Sequence, residues 1–315
     1  VWRRDPTSLP KARKNAAEIK GARAAQRRDG AALVETLRWI DEAAPSGALT
    51  ELMVAEELTR QRKAVAARLG SECVDESFSP IVGFGPNGAV VHYRVSAESS
   101  LPIAGDGILL LDSGGQYPDG TTDVTRTIAI GQPTGEMRAV ATRVLQGMIS
   151  VSRLVFPKKT HGRDLEAFAR RALWASGLDF DHGVGHGVGS FLSVHEGPQG
   201  LSKRGTTALE PGMILSNEPG CYLAGRFGVR IENLILVSPA EEVSGVAPIT
   251  PFRQMHRFET LTLAPIDRRL IEPGLLSSEE RAWLDAYHAR VLQEISPLLE
   301  SAESRAWLEQ ACAPL

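Results

Sequence analysis

Four acidic residues stand at matched places in two similar stretches of the chain. In the first stretch Asp112 ends the apolar run "GILLL", and Asp123 opens the return run. In the second, Glu218 follows "MILSN", and Glu232 lies in "VRIENLILV". A carboxylate in apolar surroundings is costly unless it is paired, protonated or bound to a cation. One such acid would most often be a cap or a salt-bridge partner, but four at matched places predict a metal site.

The number of acids predicts the number of ions. One divalent cation neutralises half of the charge of four carboxylates, whereas two cations neutralise it fully. We therefore predict a dinuclear centre with oxygen-rich ligation. Such ligation favours two divalent ions such as Mn²⁺, our first expectation, or Zn²⁺, Co²⁺ or Fe²⁺, over a closed tetrahedral zinc site. Two ions of this kind can share a hydroxide that acts as a nucleophile at neutral pH.

The stretch "DHGVGHGVGS" at 181–190 places His182 and His186 four residues apart. That spacing matches a helical zinc motif, but the glycines disfavour a helix and no HExxH pattern is present. A phosphate-binding loop is also disfavoured, because the glycines do not stand between an apolar strand and a helix start. A flexible turn stays open as an alternative. Because glycine permits close backbone approach, we interpret the run as clearance for a bound substrate or ion.

Helices are predicted to precede these motifs. Residues 11–44 have the composition of one long helix or of two in sequence, ended by "APSG" at 44–47. Thr50 is a suitable N-cap for a further helix that runs to about Leu69. The basic residues of this region are interleaved with Ala and Glu at helical spacing, which predicts a solvated helix face rather than a polyanion site.

Strands are predicted to carry the acids. The segment "PIVGFGPNGAVVHYRV" contains Asn87-Gly88 between apolar stretches, which predicts a β-hairpin. The next predicted hairpin has a strand at 108–111, a turn at Asp119-Gly120 and a return strand through 124–128. Helices at about 134–154 and 163–176 follow, and a second pair of strands lies in 211–237. This order predicts an α+β fold of two similar halves, each with two carboxylates.

The C-terminal part is predicted to be a helical extension. A strand at 258–265 precedes a helix that Ser277 or Ser278 can cap. Trp283 and Tyr287 lie on an apolar face of this helix, which predicts a homodimer. We expect a catalytic unit at 1–265, with N-terminal helices at 11–69 and a core at 78–265, followed by the extension at 266–315.

Composition sets broad limits on function. The chain has 315 residues, of which 43% are hydrophobic and 23% charged, as in a globular protein with a large core. Its net charge of -3 gives no overall field that favours nucleic acid. The three cysteines are far apart and form no CxxC, so a reducing, cytoplasmic environment is expected. No apolar run has the length of a membrane span. Because the chain begins with Val1, we expect it to be a piece of a longer protein.

Five motifs in order resemble one family of enzymes. They are "LLLDSGGQY", "TTDVTRT", "HGVGHGVGSFLSVHEGP", "LSNEPG" and "FGVRIEN". Together they resemble the pita-bread metallopeptidases, and among these the cytosolic type of Xaa-Pro aminopeptidase, from about residue 8 to the C terminus. The resemblance implies a pita-bread fold, in which two pseudo-symmetric halves surround a central curved antiparallel sheet. It also implies N-terminal domains upstream of this chain.

The resemblance implies a set of site residues. The metal ligands would be Asp112, Asp123, His186, Glu218 and Glu232, with Asp123 and Glu232 bridging the two ions. The substrate pocket would be lined by His92, His182, His195 and Arg230. Without the resemblance, each of these histidines would more often be a satisfied core residue, and Arg230 a simple ion-pair partner.

The implied activity is hydrolysis of the first peptide bond of peptides with proline at the second position. A hydroxide that bridges the two ions would attack the carbonyl, with Glu218 as base or proton shuttle. His195 would donate a hydrogen bond to the oxyanion, and His92 would orient the proline side. An Xaa-Pro bond lacks the N–H that ordinary peptidases bind, so a site that relies on shape and metal suits it.

Two alternatives come from the same fold. A prolidase-type Xaa-Pro dipeptidase shares the five ligands, and a non-catalytic pita-bread binding module would lack some of them. Creatinases lack the ligands and methionine aminopeptidases lack the tail, so both are disfavoured. The expected partners are therefore peptide substrates with an N-terminal Xaa-Pro and a second copy of the chain, with no nucleic acid and no membrane.

Overall fold

Blocks of helices alternate with blocks of strands, in the α+β order that the sequence predicts. The structure is a computed structural model, and it describes residues 5–240 and 253–315. Within those residues the α-helices are α1 (Ser8–Ala12), α2 (Ala16–Ala43), α3 (Glu51–Arg68), α4 (Gly135–Ser152), α5 (Gly162–Trp174), α6 (Ser278–Ile295) and α7 (Ala302–Ala311).

The described strands form two antiparallel sheets and two short ribbons. In the first sheet β2 lies between β1 on one side and β3 and β4 on the other; the strands are β1 (Asp75–Phe84), β2 (Gly107–Tyr117), β3 (Gly120–Thr121) and β4 (Val124–Ile130). The second sheet has the order β5 (Val155–Pro157), β12 (Met255–Thr260), β11 (Asn233–Ala240) and β8 (Ile214–Asn217). The ribbons pair β6 (Gly185–His186) with β7 (Gly200–Leu201), and β9 (Gly220–Leu223) with β10 (Phe227–Arg230). The two four-stranded sheets meet where the Glu232 N–H donates to the Thr125 carbonyl oxygen of β4 at 3.1 Å.

The helices begin where the sequence predicts. The region 11–44 contains two helices, because Asn15 caps α2 by accepting from the Glu18 N–H while the Glu18 side chain accepts from the Asn15 N–H. Thr50 caps α3 through a 3.3 Å hydrogen bond from the Met53 N–H. Helices α4 and α5 occupy the two helical regions predicted after the first acidic hairpin.

The hairpin predicted at Asn87-Gly88 is wrong. Residues 85–89 form a 3₁₀ helix, and β1 pairs with β2 rather than with the segment that follows it. The Asn87 amide is held 3.0 Å from the buried carboxylate of Glu51. Gly88 packs so closely on Gly228 that a Cβ at position 228 would lie 1.8 Å from the Gly88 carbonyl oxygen. These tertiary contacts override the local turn preference of the dipeptide.

The two acid-bearing stretches fold alike. In the first, Asp112 stands opposite Thr125 in the β2–β4 register, and Asp123 directly precedes β4. In the second, β8 pairs with β11, Glu218 directly follows β8, and Glu232 directly precedes β11. Asp123 and Glu232 therefore hold matched places directly before a strand, whereas Asp112 lies within β2 and Glu218 follows β8.

One buried arginine joins the two halves. The guanidinium of Arg126, which is 1% exposed, donates to the carbonyl oxygens of Thr125 (2.8 Å) and Glu232 (2.6 Å). It also donates to Asn233 Oδ1 (2.8 Å) and to the hydroxyl of Tyr287 (2.9 Å) on α6. Because the guanidinium presents several donors in a fixed geometry, it binds both acidic stretches and the C-terminal helix at once.

The last strand is shorter at its C-terminal end than predicted. It ends at Thr260, whereas the sequence predicts a strand over 258–265. Beyond Thr260, the carbonyl oxygens of Ala264 and Pro265 accept hydrogen bonds from Arg126 at 2.8 and 3.0 Å. The arginine thus occupies acceptors that a neighbouring strand would need in order to continue the ladder.

The C-terminal extension shares a hydrophobic core with the rest of the chain. Helix α6 begins at the predicted cap Ser277, and buried residues of α6 and α7 lie in the same cluster as those of α4, α5 and β11. Tyr287 is buried, and Trp283 stacks on it with ring centroids 5.3 Å apart. The apolar face that predicts a homodimer therefore packs largely within this chain, and the homodimer stays a prediction.

The structure describes the state of the three cysteines and the character of the helices. Cys73, Cys221 and Cys312 are all free and buried. Among the described helices, none combines the length and the apolar character that crossing a membrane requires.

His288, on α6, is predicted to make the fold sensitive to acid. Its side chain is fully buried, and its Nε2 accepts a 3.1 Å hydrogen bond from the Ile266 N–H. Burial, followed by the charges of Arg126 and Arg268, lowers the pKa of His288 to about 4. Since an unfolded chain binds this proton near pH 6.5, stability is complete above about pH 6.5 and falls as the pH decreases towards about 4.

Glutamine in place of His288 retains a hydrogen-bond acceptor but does not titrate. His288→Gln should therefore reduce the loss of unfolding free energy on acidification by about 3 kcal/mol. Urea unfolding of both proteins at about pH 7 and about pH 4 measures the difference, with His161→Gln, at a partly exposed position, as control. Equal loss of stability in His288→Gln and the unchanged protein would exclude a role of His288.

Candidate metal centre

One cavity of about 340 Å³ brings together all the residues that the sequence singles out. The five expected metal ligands that line it are Asp112, Asp123, His186, Glu218 and Glu232. The four expected substrate residues that line it are His92, His182, His195 and Arg230. The remaining wall is formed by Phe78, Val91, Gly183, Gly185 and Ser202.

Asp123, His186 and Glu232 form the closest group in this cavity. One potential ligand atom from each lies within 4.8 Å of the others. His186 Nε2 lies 3.4 Å from Asp123 Oδ2 and 3.4 Å from Glu218 Oε1. The imidazole therefore faces one acid from each half, in an oxygen-rich setting that suits a divalent ion.

The surrounding chain orients His186. Its Nδ1 lies 3.0 Å from the Gly187 carbonyl oxygen, and its backbone N–H donates to Ser216 Oγ at 2.9 Å. Because a carbonyl oxygen only accepts, Nδ1 carries a proton, and loss of the second proton of the ring would leave the Nε2 lone pair facing the acids. The Ser216 hydroxyl in turn donates to Glu218 Oε1 at 3.0 Å. Partners of this kind fix the tautomer and direction of a ligating imidazole.

The electrostatics of the cavity favour a cation. Burial, together with the charge of Asp112, raises the pKa of Asp123 to about 7 against the opposing hydrogen bond of His186. Burial also raises the pKa of Glu232 far above its usual range, and the charge of Asp123 adds to the effect. Burial opposes protonation of His186, but the hydrogen bond to Asp123 and the charge of Glu218 raise its pKa to about 9. Acids this close together retain protons unless a cation compensates them.

Two buried carboxylate oxygens fit a metal directly. Within the described part of the chain, Asp112 Oδ1 and Glu232 Oε1 have no hydrogen-bond partner. The second oxygen of each acid is bound, by Arg230 at 2.5 Å and by the Thr125 hydroxyl at 2.7 Å. A buried carboxylate oxygen without a donor is costly unless it binds an ion. Arg230 neutralises one of the four acids, and the remaining charge still exceeds that of one divalent ion.

Tyr222 is a site residue that the sequence analysis did not assign. Its hydroxyl lies 2.9 Å from His182 Nε2 and accepts a 2.6 Å hydrogen bond from Arg230, which in turn binds Asp112. His182 Nδ1 donates to the Gly183 carbonyl oxygen at 2.7 Å, so Nε2 accepts the tyrosine proton. Burial raises the pKa of Tyr222 to about 12, which keeps its hydroxyl protonated. Tyr222 lies in β9, four residues after Glu218, and this short separation was the available signal.

His195 and His92 lie at the mouth of the cavity. The His195 ring meets His186 edge to face, with centroids 4.1 Å apart and planes at 86°. Partial burial and the charge of His186 lower the pKa of His195, so this ring is neutral near pH 7. His92 is exposed and lines the same cavity from the loop between β1 and β2.

The interpretation of the glycine run as clearance for a substrate needs correction. A Cβ at Gly185 would lie 1.9 Å from the Ser216 carbonyl oxygen, and one at Gly187 would lie 2.2 Å from the Glu196 carbonyl oxygen. These glycines therefore let neighbouring parts of the same chain approach His186 closely. Gly183 and Gly185 do line the cavity, but backbone packing accounts for the glycines at 185 and 187.

Family comparisons agree with this geometry. Residues 20–239 match the family described as metallopeptidase family M24, and residues 254–315 match the region described as the C-terminal region of peptidase_M24. The first match covers more than two thirds of the chain and includes all nine expected site residues.

Individual relatives carry more specific descriptions. A probable Xaa-Pro aminopeptidase P of Laccaria bicolor is 44% identical over 300 residues, which are 94% of this chain and 45% of that protein. The crystal structure of an X-prolyl aminopeptidase from Caenorhabditis elegans, described as a cytosolic enzyme with a di-nuclear active site, matches 99% of this chain and 50% of its own. Its TM-score is 0.91 at 37% identity.

A dipeptidase has the same fold. An Xaa-Pro dipeptidase from Bacillus anthracis matches 83% of this chain and 64% of its own, with a TM-score of 0.67 at 30% identity. The expected pita-bread fold is therefore confirmed. The chain spans less than half the length of the first curated relatives that it matches.

Proposed function

The chain belongs to metallopeptidase family M24, and from this membership we propose that it acts as a metallo-aminopeptidase. The proposed reaction is hydrolysis of the first peptide bond of peptides with proline at the second position. The main support is that potential ligand atoms of Asp123, His186 and Glu232 lie close together, in a fold that matches the structure of an X-prolyl aminopeptidase with a di-nuclear active site. Because the chain covers less than half of its curated relatives, the activity of the whole protein is part of this proposal.

The five acidic and imidazole residues of the cavity would hold two divalent ions, with Mn²⁺ proposed ahead of Zn²⁺ and Co²⁺. Asp123 and Glu232 are the proposed bridging ligands, since they belong to the closest group and come from different halves of the fold. When bound, the ions would supply Lewis acidity and make a coordinated water acidic enough to react at neutral pH.

Glu218 is proposed to move protons during the reaction. Its side chain is 18% exposed, compared with 10% for Asp112 and 5% for Asp123, so it is the most accessible of these three acids. The Ser216 hydroxyl holds Oε1, and Oε2 can therefore accept a proton from the attacking water and deliver it to the leaving nitrogen.

His195 and His92 are proposed to act on the peptide itself. The neutral His195 ring can donate an N–H hydrogen bond to the oxyanion that develops at the attacked carbonyl. His92, at the mouth of the cavity, would contact the proline side of the substrate. His182 and Arg230 would shape the pocket through Tyr222, which binds both of them.

Replacement of His195 by Ala should lower kcat about a hundredfold, because it removes one donor to the developing oxyanion. Metal content per chain should not change, since the His195 ring packs on His186 rather than holding an ion. Steady-state kinetics and elemental analysis of the same samples measure both quantities. His195→Gln, which retains a donor, should recover part of the rate, whereas loss of metal from His195→Ala would place this imidazole among the ligands.

The alternative of a prolidase-type dipeptidase is tested by substrate length. The better match to the C. elegans aminopeptidase than to the B. anthracis dipeptidase favours the aminopeptidase. We expect kcat/KM to be higher for an Xaa-Pro-Yaa peptide than for the corresponding Xaa-Pro dipeptide. A strong preference for the dipeptide would replace the proposal by the alternative. Hydrolysis of neither peptide, with both ions bound, would favour the binding module.

The remaining proposals concern the setting of the enzyme. The partners would be peptides with an N-terminal Xaa-Pro and a second copy of the chain. A cytoplasmic location is proposed by analogy with the C. elegans enzyme, which is described as cytosolic. Light scattering coupled to gel filtration tests the dimer, because it gives the mass of the particle in solution.

A further inference from the structure

A buried acid outside the metal cavity accepts hydrogen bonds from the loop between β1 and β2. Glu51 is fully buried in the first turn of α3. Four neutral groups, one at the end of β1 and three in the loop, donate to its carboxylate at 2.6, 2.9, 3.0 and 3.0 Å; they are the N–H groups of Phe84 and Leu101, the Tyr93 hydroxyl and the Asn87 amide. A buried carboxylate needs such donors, and the positive end of the helix adds to their effect.

These donors come from the beginning, the middle and the end of the loop. After the 3₁₀ helix at 85–89, residues 90–101 contain turns but no helix or strand, and many of them are exposed. Because little regular backbone bonding holds this segment, its position depends on a few side-chain contacts. Glu51 supplies two of them, from the Tyr93 hydroxyl and the Leu101 N–H, and the Glu51 N–H itself donates to the Leu101 carbonyl oxygen at 3.1 Å.

The same loop carries two residues of the cavity wall. Val91 and His92 both line the cavity, and the next residue, Tyr93, is buried and bound to Glu51. The Tyr93 hydroxyl also lies 2.9 Å from the Asn87 amide, so the two donors support each other. The backbone on the C-terminal side of His92 is therefore fixed directly by the Glu51 contact.

We propose that Glu51 is a positioning residue for substrate binding, which acts by holding the β1–β2 loop so that His92 meets the peptide. The role of His92 rests on the proposed function, whereas the anchoring of the loop does not. When the anchor is weakened, a smaller fraction of molecules has the loop in the binding position. The KM for the peptide then rises in inverse proportion to that fraction, and kcat for bound substrate changes little.

Three variants test the anchor. Glu51→Gln keeps the side-chain shape but turns an NH₂ group towards neighbouring donors, and KM for an Xaa-Pro-Yaa peptide should rise about tenfold. Tyr93→Phe removes one hydroxyl, is less disruptive, and should raise KM about threefold. Glu56→Gln, at an exposed position of the same helix, is the matched control and should leave KM unchanged. Metal content should be the same in all four proteins.

Two further measurements separate positioning from a general loss of stability. Amide hydrogen exchange over residues 85–101 should accelerate in Glu51→Gln and Tyr93→Phe but not in Glu56→Gln. In a His92→Ala background, Glu51→Gln should add little to KM, because the residue through which it acts is already lost. Independent, multiplicative effects of the two substitutions on KM would overturn the proposal.

The exchange experiment also separates this proposal from the proposed function. If the unchanged protein hydrolyses no Xaa-Pro peptide, the proposed function fails, while faster exchange in the variants would still support the anchor. Unchanged exchange over 85–101 in both variants would contradict the anchor whatever the activity.

Discussion

Replacement of Asp123 by Asn is expected to reduce turnover of an Xaa-Pro peptide at least about a thousandfold. Asp123 lies in the closest group of ligands with His186 and Glu232, and its carboxylate is almost completely buried. An amide of the same shape offers one neutral oxygen, so it cannot bridge two cations as a carboxylate can. Glu232→Gln should have the same effect, because Glu232 holds the corresponding place in the second half. Both kcat and the number of ions per chain should fall.

Stability measurements distinguish loss of metal from loss of folding. In the presence of a chelator, Asp123→Asn should not lower the unfolding temperature, because it removes an acid that burial and the charge of Asp112 already disfavour. With metal added, the variant should gain less stability than the unchanged protein. Asp75→Asn, at an exposed position, is the matched control for both measurements. Full activity of Asp123→Asn would falsify the assignment of this residue as a bridging ligand.

Exhaustive chelation is expected to have the second largest effect. Activity should fall at least about a hundredfold and return when Mn²⁺, Co²⁺ or Zn²⁺ is added back, with two ions per chain at full activity. The bound ions should also stabilise the fold, because Asp112 Oδ1 and Glu232 Oε1 are buried without donors in the described part of the chain. At an ion concentration a hundred times its Kd, each site should add about 3 kcal/mol.

Thermal unfolding with and without chelator measures this gain. A gain of that size corresponds to about 5 °C or more in a domain of this length. Added Mg²⁺ provides a comparison, since it prefers octahedral oxygen sites and keeps several waters. Activity that survives complete removal of metal would rule out the proposed mechanism, and one ion per active chain would rule out the dinuclear centre.

The four acids could be predicted from local strand patterns, whereas the other five expected site residues were implied by the resemblance that the ordered motifs show to a known family. Asp112 lies within β2 and Asp123 directly precedes β4, and the apolar and polar pattern of both strands is visible in the sequence. The same local patterns predict the caps Thr50 and Ser277 and most helix ends. The structure brings all nine residues to one cavity, and their individual roles stay predictions until the substitutions are made.

The features that were missed depend on contacts distant in the chain. Asn87-Gly88 has the local signature of a hairpin, but Glu51, 36 residues away, holds the Asn87 side chain. Tyr222 becomes a site residue only because Arg230 and His182 converge on its hydroxyl. Local sequence patterns contain no information about such partners, so neither result could be derived from spacing alone.

The glycines beside His186 also have neighbours that the local sequence could not identify. They predict clearance for a bound substrate or ion beside the main chain, but at Gly185 and Gly187 other parts of the same chain occupy the space. The approaching groups are the carbonyl oxygens of Ser216 and Glu196, rather than a ligand. A glycine shows that space is needed but does not identify the neighbour, which comes from another part of the fold.

The bond between Thr125 and Glu232 has a consequence for the order of folding. Its two residues are separated by 107 positions in sequence, and the ligands of the centre are divided between the same two halves. Contacts of such high sequence separation require a long loop to close, so we expect them to form late, after the rate-limiting barrier. Ions bound there would slow unfolding much more than they accelerate folding. The lifetime of the folded chain, rather than its rate of formation, would then depend on the supply of metal.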